Sequence, residues 1–276
     1  MKFSPRLLSA ILWILLLVLL ILLVMPVIWT VLNAFKSNFD IMNHPFSLPK
    51  TFDLSNIIGA WQLGHFNIYL KNTFVVTISV IILAVILSSP AAYAFAQLTF
   101  KGSNMLFYLL FVGMSVPSQA VVISVFYRLK SFHMINSLTG LILVLVGLGV
   151  PFNIFLMRNT YKSIPKELRE SAYIDGASEW RTFLTIFFPL GKAGTLALIV
   201  FAFVDTWNEY MYPLVLLISP AKYVVSIGVA SFQTELQTNF GYIFGAAVLS
   251  LIPSILVYLI FQRSFVQGVT VGSTKG

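Results

Sequence analysis

Six of the nine acidic residues of this sequence lie in two short segments. The chain of 276 residues carries nine Asp and Glu residues. The segment PKELRESAYIDGASEW, residues 165–180, contains Glu167, Glu170, Asp175 and Glu179, and the segment DTWNEY contains Asp205, Asn208, Glu209 and Tyr210. Neighbouring carboxylates can transfer protons, activate water or bind a basic partner. Which of these roles applies depends on the surroundings of each segment.

Other residue types that support catalysis are scarce. The chain has no cysteine, which excludes disulfides, thiolate metal sites and a cysteine nucleophile. His44, His65 and His133 lie far apart and are interpreted as ordinary loop residues instead of metal ligands. The segment LGKAGT departs from a phosphate-binding loop, because Ile186 stands where the first glycine is required. We therefore expect no catalytic residue, no metal, no cofactor and no nucleotide site.

The composition indicates a membrane protein. Hydrophobic residues make up 58% of the chain and charged residues 9%, whereas a soluble domain carries about 25% charged residues to wet its surface. A net charge of +8 could suggest nucleic-acid binding. The basic residues, however, stand between apolar runs, where they set the topology and contact lipid headgroups. We expect the lipid bilayer as a partner and no nucleic acid.

Six apolar stretches are long enough to cross a bilayer as helices, which takes about 20 residues each. They are predicted at residues 7–32, 74–96, 105–127, 138–157, 193–217 and 241–261. Five prolines inside these stretches predict kinks, because neighbouring helices can satisfy the carbonyl groups that a proline frees: Pro90, Pro117, Pro151, Pro213 and Pro253. The expected fold is an all-α membrane protein, with residues 1–276 forming a single domain of six transmembrane helices.

The distribution of basic residues predicts the orientation. With the N-terminus inside, the inner segments carry eleven of the 17 Lys and Arg residues and the outer segments carry six. This excess agrees with the positive-inside rule, and both termini are then cytoplasmic. The orientation gives an outer loop at residues 33–72, a large inner loop at residues 158–192 and a cytoplasmic tail at residues 262–276.

The inner loop carries signals for two short helices. Pro165 suits the first turn of a helix, and Asp175-Gly176 predicts a sharp turn. Ser178 is a suitable N-cap for a second helix, whose apolar residues recur at helical spacing: Trp180, Phe183, Leu184, Phe187 and Phe188. The first helix is expected to display Lys166, Glu167, Arg169 and Glu170 to the cytosol. Such a projection fits docking to a charged partner, and a solvated connector between spans is the alternative.

The polar residues of the fifth stretch form a second candidate site. Asp205 lies roughly 18 Å along that helix, near the middle of the bilayer. The spacing of Asp205, Asn208 and Glu209 puts all three on one helical face, and acids at this depth need a wet cavity or a polar partner. They are interpreted either as pathway residues or as interhelical hydrogen-bond partners, and the second interpretation is favoured for Asp205 and Glu209. Tyr210 beside them either lines the same path or is an ordinary interfacial tyrosine.

The inner loop resembles the signature of ATP-binding-cassette importer permeases. That signature has E-A-A, three residues, G, nine residues and then I-x-L-P. This chain has Glu170-Ser171-Ala172, three residues, Gly176, nine residues and then IFFP, residues 186–189. It departs from the pattern at Ser171, which replaces alanine, and at Phe188, which replaces leucine.

Further segments resemble the carbohydrate-importer permeases of the maltose type, in particular the shorter six-span subunit. WNEYMYPLVLL, residues 207–217, is similar to a stretch of the fifth span in that branch, and PFSLPKTFDLSNIIGAW is similar to its first outer loop. FVQGVTVGSTKG, residues 265–276, resembles its C-terminal tail, from which Val271, Ser273 and Thr274 depart. The similarity covers nearly the whole chain.

The resemblance implies a type I importer bundle with both termini cytoplasmic, in a bacterial or archaeal cell membrane. It implies a heterodimer with a second permease subunit, two ATP-binding-cassette ATPase subunits, an extracytoplasmic solute-binding protein and a carbohydrate substrate. ATP hydrolysis would belong to the separate ATPase, so the chain itself is expected not to be an enzyme. ATPase coupling is assigned by the resemblance to Glu167, Glu170, Ser171, Ala172, Asp175, Gly176 and Ala177.

Two other functions fit parts of the sequence. A stand-alone secondary transporter would use Asp205 and Glu209 for proton coupling, but it leaves the spacing of the inner loop unexplained. An intramembrane enzyme would need a paired set of water-activating or metal-binding residues, and no such set is visible in the sequence. The importer permease is therefore ranked first, the secondary transporter second and the intramembrane enzyme third.

Overall fold

The computed structural model of the protein describes residues 5–233 and 238–271. Regular structure in this part of the chain is helical, apart from an isolated bridge between Gln233 and Thr238. The helices before the inner loop are α1 (Pro5–Asn33), α2 (Asn38–Asn43), α3 (Ser55–Leu63), α4 (Phe66–Gln97), α5 (Ser103–Ser115), α6 (Val122–Ser131) and α7 (Leu138–Lys162). The inner loop contains α8 (Glu167–Ile174), α9 (Glu179–Thr182), a π-helical turn (Phe183–Phe187) and α10 (Phe188–Leu190). The last helices are α11 (Lys192–Asn208), α12 (Met211–Leu216), α13 (Val225–Ala230) and α14 (Phe240–Val271).

The long helices extend beyond the apolar stretches. Among the described residues, α1, α4, α7 and α14 are each long and apolar enough to cross a membrane, and two bent helix pairs raise the number to six. α4 already begins at Phe66, before the predicted start at residue 74, and α7 continues to Lys162, past residue 157. A helix satisfies its own backbone groups, so it can continue into the aqueous region where the side chains become polar.

The third apolar stretch, residues 105–127, is broken instead of continuous. α5 ends at Ser115, and the following segment, Ser118–Ser131, leaves at an angle of 88°. Val116 at the break is extended, with φ −82° and ψ 119°. Proline disfavours the helical conformation of the residue before it and has no N–H to donate, so Pro117 explains the position of the break.

The fifth apolar stretch, residues 193–217, is also interrupted. α11 ends at Asn208, Glu209 is extended with φ −66° and ψ 126°, and α12 begins at Met211. On the other side, the segment Glu179–Leu190 meets α11 at 77°. We treat α11 as the membrane-crossing part, because the preceding segment runs across its direction.

One compact unit comprises Met1–Asn67 and Gly228–Ile252. Its outer loop is held by polar contacts: the indole N–H of Trp29 donates to the carbonyl of Pro45 at 2.9 Å, and the buried Lys36 ammonium donates to His44 and Pro45 carbonyls. Burial lowers the pKa of Lys36. Along α1, nearly every side chain from residue 11 to residue 28 is exposed in the single chain, as expected of a helix that lipid or another subunit covers.

The second compact unit comprises Ile68–Ile227 and Pro253–Gly276, and it carries both candidate sites. Its first apolar cluster joins α4, α6, α7 and α12 through side chains such as Val76, Leu129 and Leu141. Its second cluster joins α4, α7, the π-helical turn and α11. Because the second cluster includes residues of the inner loop, the loop is packed onto the spans.

Candidate functional site

The start of the inner loop is fixed to the ends of two spans. The side-chain amide of Gln97, the last residue of α4, donates to the Tyr161 carbonyl at 2.7 Å and to the Ile164 carbonyl at 3.3 Å. Arg158 donates from Nε to the Phe95 carbonyl at 3.2 Å, and its guanidinium lies 4.0 Å from the ring centroid of Phe107. The sequence offered only a weak signal for these contacts, a polar residue at the end of each span.

The first helix of the loop, α8, presents an exposed surface that combines acids with apolar groups. We call this surface the α8 outer face; it consists of Glu167, Glu170, Ser171, Tyr173 and Ile174, all exposed. Tyr173 is 75% exposed and Ile174 is 84% exposed. On the other side of the helix, Ala172 is buried. A small side chain at this position lets α8 pack closely on the rest of the loop.

Gly176 makes the turn after α8. Its φ is 76°, in the left-handed region that glycine adopts without a steric penalty. Its N–H donates to the Tyr173 carbonyl at 3.0 Å, and the N–H of Ala177 donates to the Ala172 carbonyl at 2.9 Å. These two bonds are those of a Schellman C-cap, which satisfies the last carbonyls of the helix. Asp175 and Gly176 are exposed and Ala177 is half-buried.

The second helix begins where the sequence predicted. The Ser178 hydroxyl accepts a hydrogen bond from the N–H of Arg181 at 3.3 Å, as an N-cap does. The predicted apolar set, however, divides between two surfaces. Phe183 and Phe187 are buried, whereas Trp180 and Leu184 are 60% and 46% exposed. The exposed pair thus lies on the side of this segment that faces away from the apolar cluster.

The sequence predicts that Arg169 is displayed to the cytosol, but in the structure its side chain is bound within the inner loop. Its Nε donates to both carboxylate oxygens of Glu179, at 3.1 and 3.2 Å, and its Nη2 also donates to Oε1. This hydrogen bonding lowers the pKa of Glu179 and raises the pKa of Arg169. Residues ten positions apart are brought together by the turn at Gly176, and this tertiary contact has no local sequence signal.

A third residue completes this contact from within a span. The hydroxyl of Tyr93, in α4, donates to Oε2 of Glu179 at 2.7 Å. The ring of Tyr93 is buried and lies with its centroid 5.4 Å from that of Phe183 and 4.9 Å from that of Phe187. The segment from Pro165 to Pro189, which we call the inner-loop hairpin, is therefore attached to α4 by both polar and aromatic contacts.

The second candidate site is a cavity beside the end of α11. Its volume is about 380 Å³, and it is lined by Ser118, Leu145, Leu148, Gly149, Val204, Asp205, Thr206, Asn208 and Glu209. Asp205, Asn208 and Glu209 thus come together on one cavity wall, whereas Tyr210 is exposed outside this lining. The cavity is mixed in polarity and lies next to both helix breaks.

Polar contacts hold the two breaks together. Oε1 of Glu209 accepts a hydrogen bond from the N–H of Tyr212 at 3.0 Å, which caps α12, and the Ser226 hydroxyl donates to the Glu209 carbonyl at 2.7 Å. The hydroxyl of Tyr212 donates to the carbonyl of Ser118 at 2.6 Å. The Glu209 carboxylate therefore accepts a hydrogen bond within the protein, whereas Asp205 lines the cavity.

Neither site has the arrangement of a metal centre. Among the described residues, no three His, Asp or Glu side chains gather in a way that could hold a metal ion. The cavity offers carboxylate, amide and hydroxyl groups that can hydrogen-bond to a polar solute. The hairpin offers a binding surface attached to the spans.

Comparison with known proteins agrees with this arrangement. A family described as "Binding-protein-dependent transport system inner membrane component" matches residues 84–271. A diacetylchitobiose uptake system permease protein of Streptomyces coelicolor is 31% identical over 274 residues, which cover 99% of this chain and 91% of the relative. An arabinooligosaccharides transport system permease protein of Halalkalibacterium halodurans is 29% identical and covers 91% of each chain.

The fold also matches a solved transporter. A crystal structure of a bacterial ABC transporter involved in the import of the acidic polysaccharide alginate has a chain that superposes with a TM-score of 0.84 and 22% identity. The match covers 96% of this chain and 99% of that one. Together with the broken spans and the inner-loop hairpin, it supports a permease fold with several membrane-crossing helices. The chain belongs to the family of inner membrane components of binding-protein-dependent transport systems.

Proposed function

We propose that this protein is a permease subunit of an ATP-binding-cassette importer for a carbohydrate. It forms one half of the translocation pathway in a bacterial or archaeal cytoplasmic membrane, and it couples to a separate ATPase through the inner-loop hairpin. The observation that carries this proposal is the α8 outer face, an acidic and apolar surface on a hairpin that is attached to the spans.

The chemistry of the α8 outer face suits docking in a protein cleft. Neither Glu167 nor Glu170 forms an ion pair with another described residue, so both carboxylates are free to meet basic residues of a partner. Tyr173 and Ile174 beside them expose apolar surface to water in the single chain. Protein interfaces combine such an apolar centre with a charged rim. The predicted coupling residues Ser171, Ala172, Asp175, Gly176 and Ala177 shape this helix and its turn.

Force can pass from this surface to the membrane because the hairpin is not a free loop. A helix that sits in a cleft moves as a rigid body when the cleft closes. The C-cap at Gly176, the contact of Glu179 with Tyr93 and the buried Phe183 and Phe187 attach α8 to the spans. ATP-driven closure of two ATPase subunits would therefore tilt the spans of this subunit.

The pathway is proposed to run past Asp205 and Asn208. A carboxylate and an amide at the end of a broken helix can bind sugar hydroxyl groups, and discontinuous helices often surround solute sites in transporters. Tyr210 adds an exposed aromatic ring near the same break. A second permease subunit would close the other side of the pathway and cover the apolar surface of α1. The carbohydrate itself follows from the relatives, whose names specify oligosaccharides.

Docking is tested by charge reversal on α8. We expect Glu170→Lys to release the co-expressed ATPase during purification while the permease remains in the membrane. Lys162→Glu is a matched control, because it reverses an exposed charge at the end of α7, outside the α8 outer face. Retention of the ATPase by Glu170→Lys at the control level would contradict the docking role.

Energy coupling is tested by reconstitution. Liposomes that contain this subunit alone are expected to accumulate no sugar, whereas the complex with the second permease, the ATPase and the binding protein should consume ATP during uptake. A panel of diacetylchitobiose, arabinooligosaccharides and alginate oligosaccharides identifies the carbohydrate. Uphill uptake by the isolated subunit, abolished by an uncoupler, would instead establish the secondary transporter.

A further inference from the structure

The turn at Gly176 alone does not determine the direction of α8. The helix is joined to α7 by a short link ending at Lys166 and to α9 by the glycine turn. Apart from the packing of the small buried Ala172, these two links alone would let the helix swing about the line that joins them. A coupling element that swings would absorb the movement of its partner and would not pass it to the spans.

The carboxylate of Glu179 removes this freedom by binding two elements at once. Arg169 lies in the first turn of α8 and donates to both oxygens of the carboxylate. Tyr93 lies on α4 and donates to Oε2. Hydrogen bonds with one ionised partner are shorter and stronger than neutral ones, and a guanidinium contacting both oxygens fixes direction as well as distance.

The aromatic contacts of Tyr93 give the hydroxyl a fixed position. Its buried ring packs on Phe183 and Phe187 of the π-helical turn and lies edge-on to Tyr161 of α7, with a centroid distance of 6.3 Å. The hydroxyl is therefore held between the loop and two spans. The ring and the hydroxyl act separately, so removing the hydroxyl alone tests the polar contact without creating a cavity.

We propose that Tyr93, Glu179 and Arg169 form a linkage that makes α4 move together with α8. They are positioning residues for energy coupling and are distinct from the α8 outer face, which binds the ATPase. This inference rests on the proposed docking of α8. It assigns a role in transmission to a tyrosine inside a span and to an ion pair inside the hairpin.

The linkage can be tested by distance measurements, because the chain contains no cysteine. Spin labels at Lys166→Cys, before α8, and Thr99→Cys, just after α4, occupy exposed positions. The assembled transporter, with cysteine-free partners, is measured in nanodiscs with and without a non-hydrolysable ATP analogue. We expect a narrow distance distribution in both states, and a broad one with nucleotide when Tyr93→Phe or Glu179→Gln is added.

Transport gives a second readout. We expect Tyr93→Phe to lower the sugar transported per ATP by about tenfold, the factor at the lower end of the range for a hydrogen bond to a charged group, with the ATPase still co-purifying. The sugar is whichever member of the oligosaccharide panel shows the highest uptake. Tyr161→Phe is the matched control, because it removes a hydroxyl that is also buried in this cluster. The Tyr161 hydroxyl makes no hydrogen bond to the described inner-loop residues.

The outcomes separate the linkage from docking. A broad distribution in Arg169→Gln, which keeps the Glu179 carboxylate as the acceptor for Tyr93, would support an orienting ion pair, and a distribution as narrow as in the wild-type protein would overturn it. Unchanged distances and an unchanged transport ratio in Tyr93→Phe would also overturn the linkage. Loss of the ATPase from Tyr93→Phe would overturn it in favour of a docking role. Retention of the ATPase by Glu170→Lys would overturn the proposed docking instead.

Discussion

At the scale of single residues, the turn of the hairpin depends on Gly176. Its φ of 76° costs other L-residues about 1–2 kcal/mol, and its N–H is used in the C-cap. Proline has no N–H for this bond and would fix φ at about −65°. We expect Gly176→Ala to reduce the ATP hydrolysis that loaded binding protein stimulates, and Gly176→Pro to abolish it, with membrane insertion unchanged.

A second glycine provides the control for this prediction. Gly102 has a φ of 83°, and a Cβ atom added there would meet no other heavy atom within 4 Å. Gly102→Ala therefore carries the same type of backbone strain outside the inner-loop hairpin. If both alanine variants reduced stimulated ATP hydrolysis equally, the effect would come from general strain and not from the turn.

The contact of Arg169 with Glu179 gives a prediction for pH. Because the pKa of Glu179 is lowered in the folded protein, the contact stabilises the hairpin above the unfolded pKa of glutamate, about 4.3. This stabilisation is lost as the pH falls through the lowered pKa. We expect protease accessibility of the hairpin to stay constant between about pH 5.5 and about pH 8, because this whole range lies at least about one unit above the unfolded pKa of glutamate, and to increase at more acidic pH.

Glu179→Gln serves as the comparison for the pH prediction. The amide cannot ionise, so the hairpin of this variant should be more accessible to protease near neutral pH and should lack the acid transition. An acid transition of the same size in the variant would show that another carboxylate is responsible. Side chains of this pair are partly exposed, and added salt should weaken the contact in the wild-type protein.

At the scale of elements, hydropathy locates the spans and not their breaks. The apolar stretches depend only on side-chain type, so the sequence is sufficient to find α1, α4, α7 and α14. Pro117 indicates a kink, but the angle of 88° depends on how α5 and α6 pack. The break at Glu209 lies four residues before Pro213, which has no N–H to donate to the Glu209 carbonyl, and the Ser226 hydroxyl donates to that carbonyl instead. The proline indicates the position of the break, but the contact with Ser226 is tertiary and has no local pattern.

In the inner-loop hairpin, too, the local turns could be predicted from the sequence and the tertiary contacts could not. The capping residues Ser178 and Gly176 act on the backbone next to them, and both turns could be predicted. The partner of Arg169 could not be predicted, because four acidic residues lie within ten positions of it in the sequence: Glu167, Glu170, Asp175 and Glu179. Tyr93 is 86 residues from Glu179, and one tyrosine in an apolar helix gives no indication of its partner.

The packing of α7 against α11 gives a prediction at this scale. A Cβ atom on Gly194 would lie 2.2 Å from Oγ1 and 2.8 Å from Cβ of Thr160. The two helices would have to separate, so we expect Gly194→Ala to destabilise the protein by about 1–3 kcal/mol, measured as a lower melting temperature in detergent. Adding Thr160→Ala should restore part of this loss.

Gly147 is the matched control within α7. A Cβ atom there meets no other heavy atom within 4 Å, so Gly147→Ala should leave the melting temperature unchanged or raise it slightly through its better helix propensity. Equal destabilisation by Gly194→Ala and Gly147→Ala would contradict the close contact between α7 and α11.

At the scale of the whole molecule, the scarcity of charge makes each polar cluster informative. A chain with 9% charged residues keeps them where lipid does not reach: at the ends of spans, on the hairpin and beside the cavity. The exposed apolar surface of α1, by contrast, needs lipid or a second subunit. The exposed apolar surface of α1 is therefore suited to a membrane partner, and the α8 outer face is proposed to bind a cytosolic one.

The orientation of the chain in the membrane determines whether the α8 outer face can bind an ATPase. Docking to an ATPase requires α8 to lie on the cytoplasmic side of the membrane, where ATP is present. The excess of basic residues in the inner segments predicts this location. Single cysteines can test this, since the chain has none of its own. We expect Lys166→Cys to react with an impermeant maleimide only in inverted vesicles, and Lys50→Cys, at a residue whose side chain is 85% exposed, only in right-side-out vesicles.

The opposite labelling pattern would place α8 outside the cell, and the docking of an ATPase there would be impossible. Labelling of Lys166→Cys from both sides would have a different meaning, provided that a cytosolic marker shows the vesicles to be sealed. It would mean that the chain inserts in two orientations, as expected if a charge excess of eleven to six were too weak to select one. Replacing Lys101 and Lys162 with glutamine should then increase the inverted fraction, because it removes two inner positive charges and leaves the outer ones in place.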